Sequence, residues 1–264
     1  MKNNNYIWGV ALIILGVLFL LQAIGYITDV FGWFWPILII LFGISILVGP
    51  TMVKIGWQTG ETFSIDLQGA TQMDLRLEHG AGSVSINGDA AAGVAAAGSK
   101  AVGLEMENHL DGDKLKVKLE AGPTFVPFIG PAGGEWQFSV SREIPVSMKI
   151  DAGASNIDLD MSEVKLVFLK VDTGASTLQV KLPANAGYTL VEVESGAASI
   201  DLSVPENVGA RIRTEQGASS IDLDQKRFLP MEGLRNVYQS ANYSEAANQV
   251  EITLKGGANS IKLR

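Results

Sequence analysis

Residues 150–159 read IDAGASNIDL, residues 171–180 read VDTGASTLQV, and residues 193–202 read VESGAASIDL. The same figure recurs with its glycine at Gly80, Gly153, Gly174, Gly196, Gly217 and Gly257, so the chain carries an internal repeat. From Gly153 onward the glycines are 21, 22, 21 and 40 residues apart, so the last step holds an insertion. The stretch from Gly80 to Gly153 holds a larger one.

Aligned on the glycine, the same offsets are apolar in nearly every copy. Five residues before it stand Leu75, Met148, Leu169, Val191, Ile212 and Ile252, and three before it Leu77, Ile150, Val171, Val193, Thr214 and Leu254. Four after it come Val84, Ile157, Leu178, Ile200, Ile221 and Ile261, and six after it Ile86, Leu159, Val180, Leu202, Leu223 and Leu263. Period two on both sides predicts strand, corner, strand. Alanine follows the glycine in every copy, which predicts a tight corner with the glycine at positive φ.

A strand pair of this size cannot bury its apolar face alone, so the copies are expected to stack into an all-β, solenoid-like array. Six rungs at about 4.8 Å give a rod about 29 Å long. An antiparallel sandwich of the same strands remains open, because the offsets fix faces and not pairing.

Like outward offsets should stack as well. Two before the glycine stand Glu78, Asp151, Asp172, Glu194, Glu215 and Lys255, and four before it Arg76, Lys149, Lys170, Glu192, Arg213 and Thr253. Five after it come Ser85, Asp158, Gln179, Asp201, Asp222 and Lys262. A carboxylate column beside a basic one predicts a solvated face of interstrand ion pairs. A sharper alternative is a calcium ladder from Asp201 and Asp222, but no metal or cofactor is assigned.

Ahead of the repeat the composition changes. Only Lys2 and Asp29 carry charge between Met1 and Val53. Residues 6–24, YIWGVALIILGVLFLLQAI, are long enough at about 1.5 Å per residue to cross a core of about 30 Å. A second uncharged run, 30–53, follows a short turn, with Pro36 near its start where a missing N–H does least harm. Trp8, Trp33, Trp35 and Trp57 fall near the ends of these runs, as membrane-interface aromatics do. The division is therefore 1–56, a two-helix transmembrane hairpin, and 57–264, the β-repeat domain. Lys2 and Lys54 flank the hairpin and Asp29 sits in its turn, so both termini and the β-repeat are expected in the cytoplasm.

Setting aside Lys2, Lys54 and Asp29, the totals of 20 basic and 28 acidic residues leave 18 and 27, a balance unsuited to nucleic acid. With no cysteine, thiolate chemistry is excluded, and two histidines, His79 and His109, leave little for a multi-histidine metal centre. There is no P-loop, GxSxG or HExxH motif, and no nearby His or Lys pattern activates the corner serines, so no catalytic residue is assigned.

Within the insertions, LEMENHLDGDKLKVKLE reads as a hairpin about a DG turn. Ala121 to Gly134 sets Phe125, Val126, Phe128 and Ile129 in a Pro/Gly-rich loop that either caps the stack or touches a partner or membrane surface. Gln225 to Asn248, with Arg227, Phe228, Arg235, Tyr238 and Tyr243, reads as a cap or side hairpin.

The first segment, through Trp8-Gly9, the Leu/Ile run into Gly16, Trp33, Trp35-Pro36 and Gly43, resembles the LiaI/LiaF-like transmembrane region of bacterial envelope proteins. Trp57 to Arg264 resembles a toast-rack domain, on LRLEHGAGSVSINGDA, WQFSVSREIPVSMKIDAGASNIDLDMS, the repeated corners and NYSEAANQVEITLKGGANSIKL. The resemblance implies a non-enzymatic regulator or scaffold in the envelope stress response. Its partners would be the lipid bilayer, a membrane protein such as a sensor kinase, and a second copy of itself. LiaF-type proteins usually carry more spans than this single hairpin. An adhesin-like or self-assembling envelope protein is the alternative.

Overall fold

The computed structural model describes residues 62–99, 104–121, 134–217 and 219–264, together with Gln22, Ile24 and Gly25. The expected transmembrane hairpin lies outside the described residues apart from those three, as do Trp8, Trp33, Trp35 and Trp57. All described strands belong to the second of two compact units, Gly60–Arg264.

The strands in chain order are β1 (Thr62–Asp66), β2 (Gln72–Asn87), β3 (Val94–Ser99), β4 (Leu104–Asp111), β5 (Lys114–Ala121), β6 (Gly134–Val140), β7 (Val146–Asp160) and β8 (Leu166–Lys181). They continue with β9 (Tyr188–Ser203), β10 (Gly209–Gln216), β11 (Ser220–Leu223), β12 (Phe228–Pro230), β13 (Val237–Ser240), β14 (Gln249–Gly256) and β15 (Ser260–Leu263). Copies one to four are the long strands β2, β7, β8 and β9. The fifth divides into β10 and β11 and the sixth into β14 and β15, each broken at its glycine.

Neighbouring copies pair in parallel and in register, Leu77 with Ile150, Ile150 with Val171, and Val171 with Val193. That settles the pairing in favour of stacked rungs. Apart from Ile221 and Leu223, which are partly buried, the residues at the four apolar offsets are all buried in one core. The corner shows in the same pattern. Ser195 faces in one residue before the glycine and Ala198 two after it, while Gly196 and Ala197 between them are both exposed. Two successive outward residues break the alternation of a strand, so the inward face must turn there.

The expected positive φ is not the reason for glycine. Of the described glycines, those at positive φ include Gly82, Gly112 and Gly187, and none of the six corner glycines is among them. The constraint is close approach instead. A Cβ on Gly153 would fall on the Gly80 carbonyl oxygen, and one on Gly174 would lie 3.1 Å from the Gly153 oxygen. On Gly196 it would lie 2.9 Å from the Gly174 oxygen, and on Gly257 2.8 Å from the Gly196 oxygen. The glycines form a column, each carbonyl occupying the space a side chain would need on the next.

That column also gives the rung order, which differs from chain order. A Cβ on Gly217 would meet the Gly257 oxygen at 2.8 Å, so the sixth copy sits between the fourth and the fifth. The strands agree: β14 pairs with β9 on one side and β10 on the other, and β15 lies between β9 and β11. After β11 the chain builds β12 and β13, antiparallel on the far side of β10, and returns into the open slot. The 40-residue step is the length of that detour.

At the other end the six-rung reading is one rung short. β5 pairs in parallel with the first half of β2 and β6 with its second half, so Leu119 stacks on Leu77 and Trp136 on Val84. In this seventh rung β5 brings Glu120 beside Glu78, and β6 begins with Gly134 beside Gly82. β4 folds back on β5 about Gly112, at φ 63°, which is the expected hairpin. β3 and β1 extend the sheet from β6.

Gly153→Ala should force backbone apart and destabilise by about 1–3 kcal/mol as an overpacked site, and Gly174→Ala by less. Denaturation midpoints of the two variants check the ranking.

Candidate interaction surface

The outward columns take their final form from the rung order. The column two before the glycine runs Glu120, Glu78, Asp151, Asp172, Glu194, Lys255, Glu215, with Lys255 between two glutamates. Across the corner, Lys262 lies between Asp201 and Asp222. The calcium-ladder alternative therefore fails, because its two carboxylates are not neighbours and a cation separates them. Asp201 also pairs with Arg264 at 2.9 Å.

The basic column serves the remaining acids. Arg76 reaches Glu78 at 3.0 Å and Asp151 at 3.4 Å, Lys170 reaches Asp172 at 3.3 Å, and Lys118 bridges Glu78 and Glu120. Such pairs are exposed and screened by solvent, so each adds little to stability. Their role is to relieve a carboxylate column one rung apart. Lys170 is held charged beyond the usual lysine range by its hydrogen bond and attraction to Asp172.

Inside the corner the polar side chains bridge the turn. His79 Nδ1 lies 2.9 Å from Ser155 Oγ, and Nε2 lies 3.3 Å from the Gly134 carbonyl. A carbonyl only accepts, so Nε2 carries the proton and Nδ1 accepts from Ser155. The ring stands edge-on to Trp136, centroids 4.8 Å apart, and His79 is 3% exposed. This corrects the expectation that no histidine lies near a corner serine. The pair is still a brace, since Ser155 is only 4% exposed and the same offsets hold non-basic pairs elsewhere. Thr173 donates to Ser176 at 3.0 Å, while Ser195 donates at 3.1 Å and the Ala198 amide at 2.7 Å to Asn259 Oδ1. A shallow groove of about 370 Å³ lies over the corners of the first three copies, lined by small and neutral residues such as Gly82, Ala154, Asn156 and Thr177.

The insertion at 225–248 is clamped to the last rungs by groups that the sequence pattern left unassigned. Arg227 donates to the carbonyls of Val204, Pro205 and Val208 and lies over the Phe228 ring at 4.9 Å. Tyr243 donates its hydroxyl to Glu251 at 2.9 Å, and Arg211 covers its ring at 4.4 Å and pairs with Glu251 at 3.2 Å. Burial and then the Glu251 hydrogen bond push the Tyr243 pKa up to about 12. The expected cap or side hairpin is thus the β12–β13 hairpin along β10. Phe125, Val126, Phe128 and Ile129 lie outside the described residues; their loop leaves β5 at Ala121 and enters β6 at Gly134.

Burial holds the His79 pKa below its ordinary 6.5, with the Gly134 hydrogen bond opposing more weakly. The unfolded chain then takes up a proton that the folded chain resists, so this contribution is complete at neutral pH and falls as pH drops below about 6.5. Thermal midpoints should fall more for the native chain than for His79→Gln between about pH 7 and about pH 5.

The family model described as the N-terminal domain of toast_rack, DUF2154, matches residues 55–203. The model described as the LiaI-LiaF-like transmembrane region matches residues 6–47. No curated protein matches. A crystal structure of a candidate cell adhesion protein from Clostridium sporogenes ATCC 15579 superposes with TM-score 0.68 at 20% identity, covering 77% of this chain and 98% of that one. At that identity the likeness is one of fold.

Proposed function

The chain belongs to the toast-rack family and carries a LiaI-LiaF-like transmembrane region, and from that membership we propose that it is a non-enzymatic, membrane-anchored module that regulates or scaffolds the bacterial cell-envelope stress response. The observation that carries this reading is the order of the two matches, a membrane region at 6–47 leading within a few residues into the β-repeat at 55–203. A bilayer tether joined to a rigid, charge-patterned stack suits the holding of partners better than turnover. Its polar corner clusters serve the fold, and its outer columns neutralise one another.

In this reading residues 1–56 form a two-span hairpin in the cell membrane, with Trp8, Trp33, Trp35 and Trp57 at its interfaces, and 57–264 form the β-repeat in the cytoplasm. The positions of Lys2, Lys54 and Asp29 support that orientation. The partner is a membrane protein of the sensor-kinase kind, approached by the loop bearing Phe125, Val126, Phe128 and Ile129. A second reading, an adhesin-like or self-assembling envelope protein outside the cell, is favoured by the fold shared with the Clostridium sporogenes protein.

Orientation separates the two. The chain lacks cysteine, so Asn207→Cys creates its single thiol, at an exposed loop residue whose side chain gives only a long 3.3 Å bond to the Ala184 carbonyl. With a membrane-impermeant maleimide, the regulator reading expects labelling only after lysis. Labelling of intact cells would overturn it in favour of the envelope-exterior reading.

A further inference from the structure

The stack ends in four half-rung edges, and the chain does not treat them alike. At the N-terminal end β5 continues into antiparallel β4, and β6 into β3 and β1. At the C-terminal end β10 is followed by β13 and β12. β11 pairs with β15 alone, so among the described residues the second arm stops at Ser220–Leu223.

The hydrogen bonds give the direction of the open side. Ser220 and Asp224 donate their amides to the Asn259 and Leu263 carbonyls, toward β15. Backbone groups alternate sides along a strand, so the N–H and C=O of Ile221 and Leu223 point away from the stack. Their side chains lack a layer of cover too. Ile221 and Leu223 are only partly buried, whereas Ile200, Leu202, Ile261 and Leu263 at the same offsets are 2% exposed or less. Asp222 ends the sequence Asp201, Lys262, Asp222, with no rung beyond it among the described residues.

We infer that β11 is a strand-addition site for an extended segment of a partner protein in which a basic residue stands between two apolar ones. The segment pairs with the outward backbone of Ile221 and Leu223, covers their side chains and sets its cation beside Asp222. The occupant is not a second copy of this chain. Two β11 strands pairing antiparallel about Asp222 would oppose two carboxylates. The other described free edges, TFSID in β1, LEMENHLD in β4 and FLP in β12, contain no apolar–basic–apolar figure. The inference rests on the scaffold reading for its purpose and on geometry for its place.

The test uses the full chain in detergent and two capped, fluorescent octapeptides. GANSIKLR copies residues 257–264, the segment that already pairs with β11 on its other side; GANSIELR differs only in the charge. The expected result is saturable binding of the lysine peptide, about tenfold tighter than the glutamate peptide. Asp222→Lys should reverse the preference, and Leu223→Pro, which removes an outward N–H, should abolish binding. Should Leu223→Pro fail to fold, the charge swap at Asp222 still decides. Absence of binding, equal binding of the two peptides, or an unchanged preference in Asp222→Lys would overturn the inference. Self-association relieved by Asp222→Lys would do so as well. Labelling of Asn207→Cys does not involve β11, so this inference and the scaffold reading can fail separately.

Discussion

Where the chain turns between its two arms, the carbonyl oxygen of one glycine occupies the space that a Cβ would fill on the next, five times in succession from Gly80 to Gly217. This contact brings the rungs close at the turn and holds them in one register. A one-residue slip in any rung would move its apolar set to the solvent face, and in one direction it would put alanine against a carbonyl. The continuous core of leucine, isoleucine and valine on both arms therefore depends on six residues that contribute no side chain to it.

From that column the remaining features follow. Because the rungs are in register, like outward positions stack and a column of carboxylates builds up along β2, β7, β8 and β9. The sixth copy, which carries Lys255 and Lys262 where the others are mainly acidic or neutral, enters between the fourth and fifth. Its insertion puts a cation between Glu194 and Glu215 and another between Asp201 and Asp222. The detour that makes this possible is tied down by Arg227 and Tyr243, whose half-buried polar ends are satisfied by carbonyls and by Glu251. The same detour covers the edge of β10, while among the described residues β11 has no strand on its outer side.

Much of this was legible in the sequence. Every apolar offset read from the repeat is buried or packed against the core, because period two is a direct record of which side of a strand meets water. Four things were not. The reason for glycine is steric and not conformational, and a motif alone does not distinguish a positive φ from a close neighbour. Rung order was invisible because nothing in a repeat says which slot it fills, although two lysines in the last copy were a hint. The extra rung of β5 and β6 was hidden because the sequence between the two strands has no Gly-Ala corner on which a copy could be aligned. His79 escaped for a related reason: Ser155, its partner, lies one rung away and 76 residues along the chain.

The central claim is that the sixth copy sits between the fourth and the fifth, and a cysteine-free chain allows it to be tested by cross-linking. Adjacent rungs are about 4.8 Å apart, within disulfide range, and alternate rungs about twice that, beyond it. Two double variants, Asp201→Cys with Lys262→Cys and Asp201→Cys with Asp222→Cys, would be oxidised and scored for the intramolecular disulfide. The account predicts efficient closure of the first pair and none of the second. Closure of Asp201 with Asp222, and failure of Asp201 with Lys262, would restore chain order to the stack and contradict it.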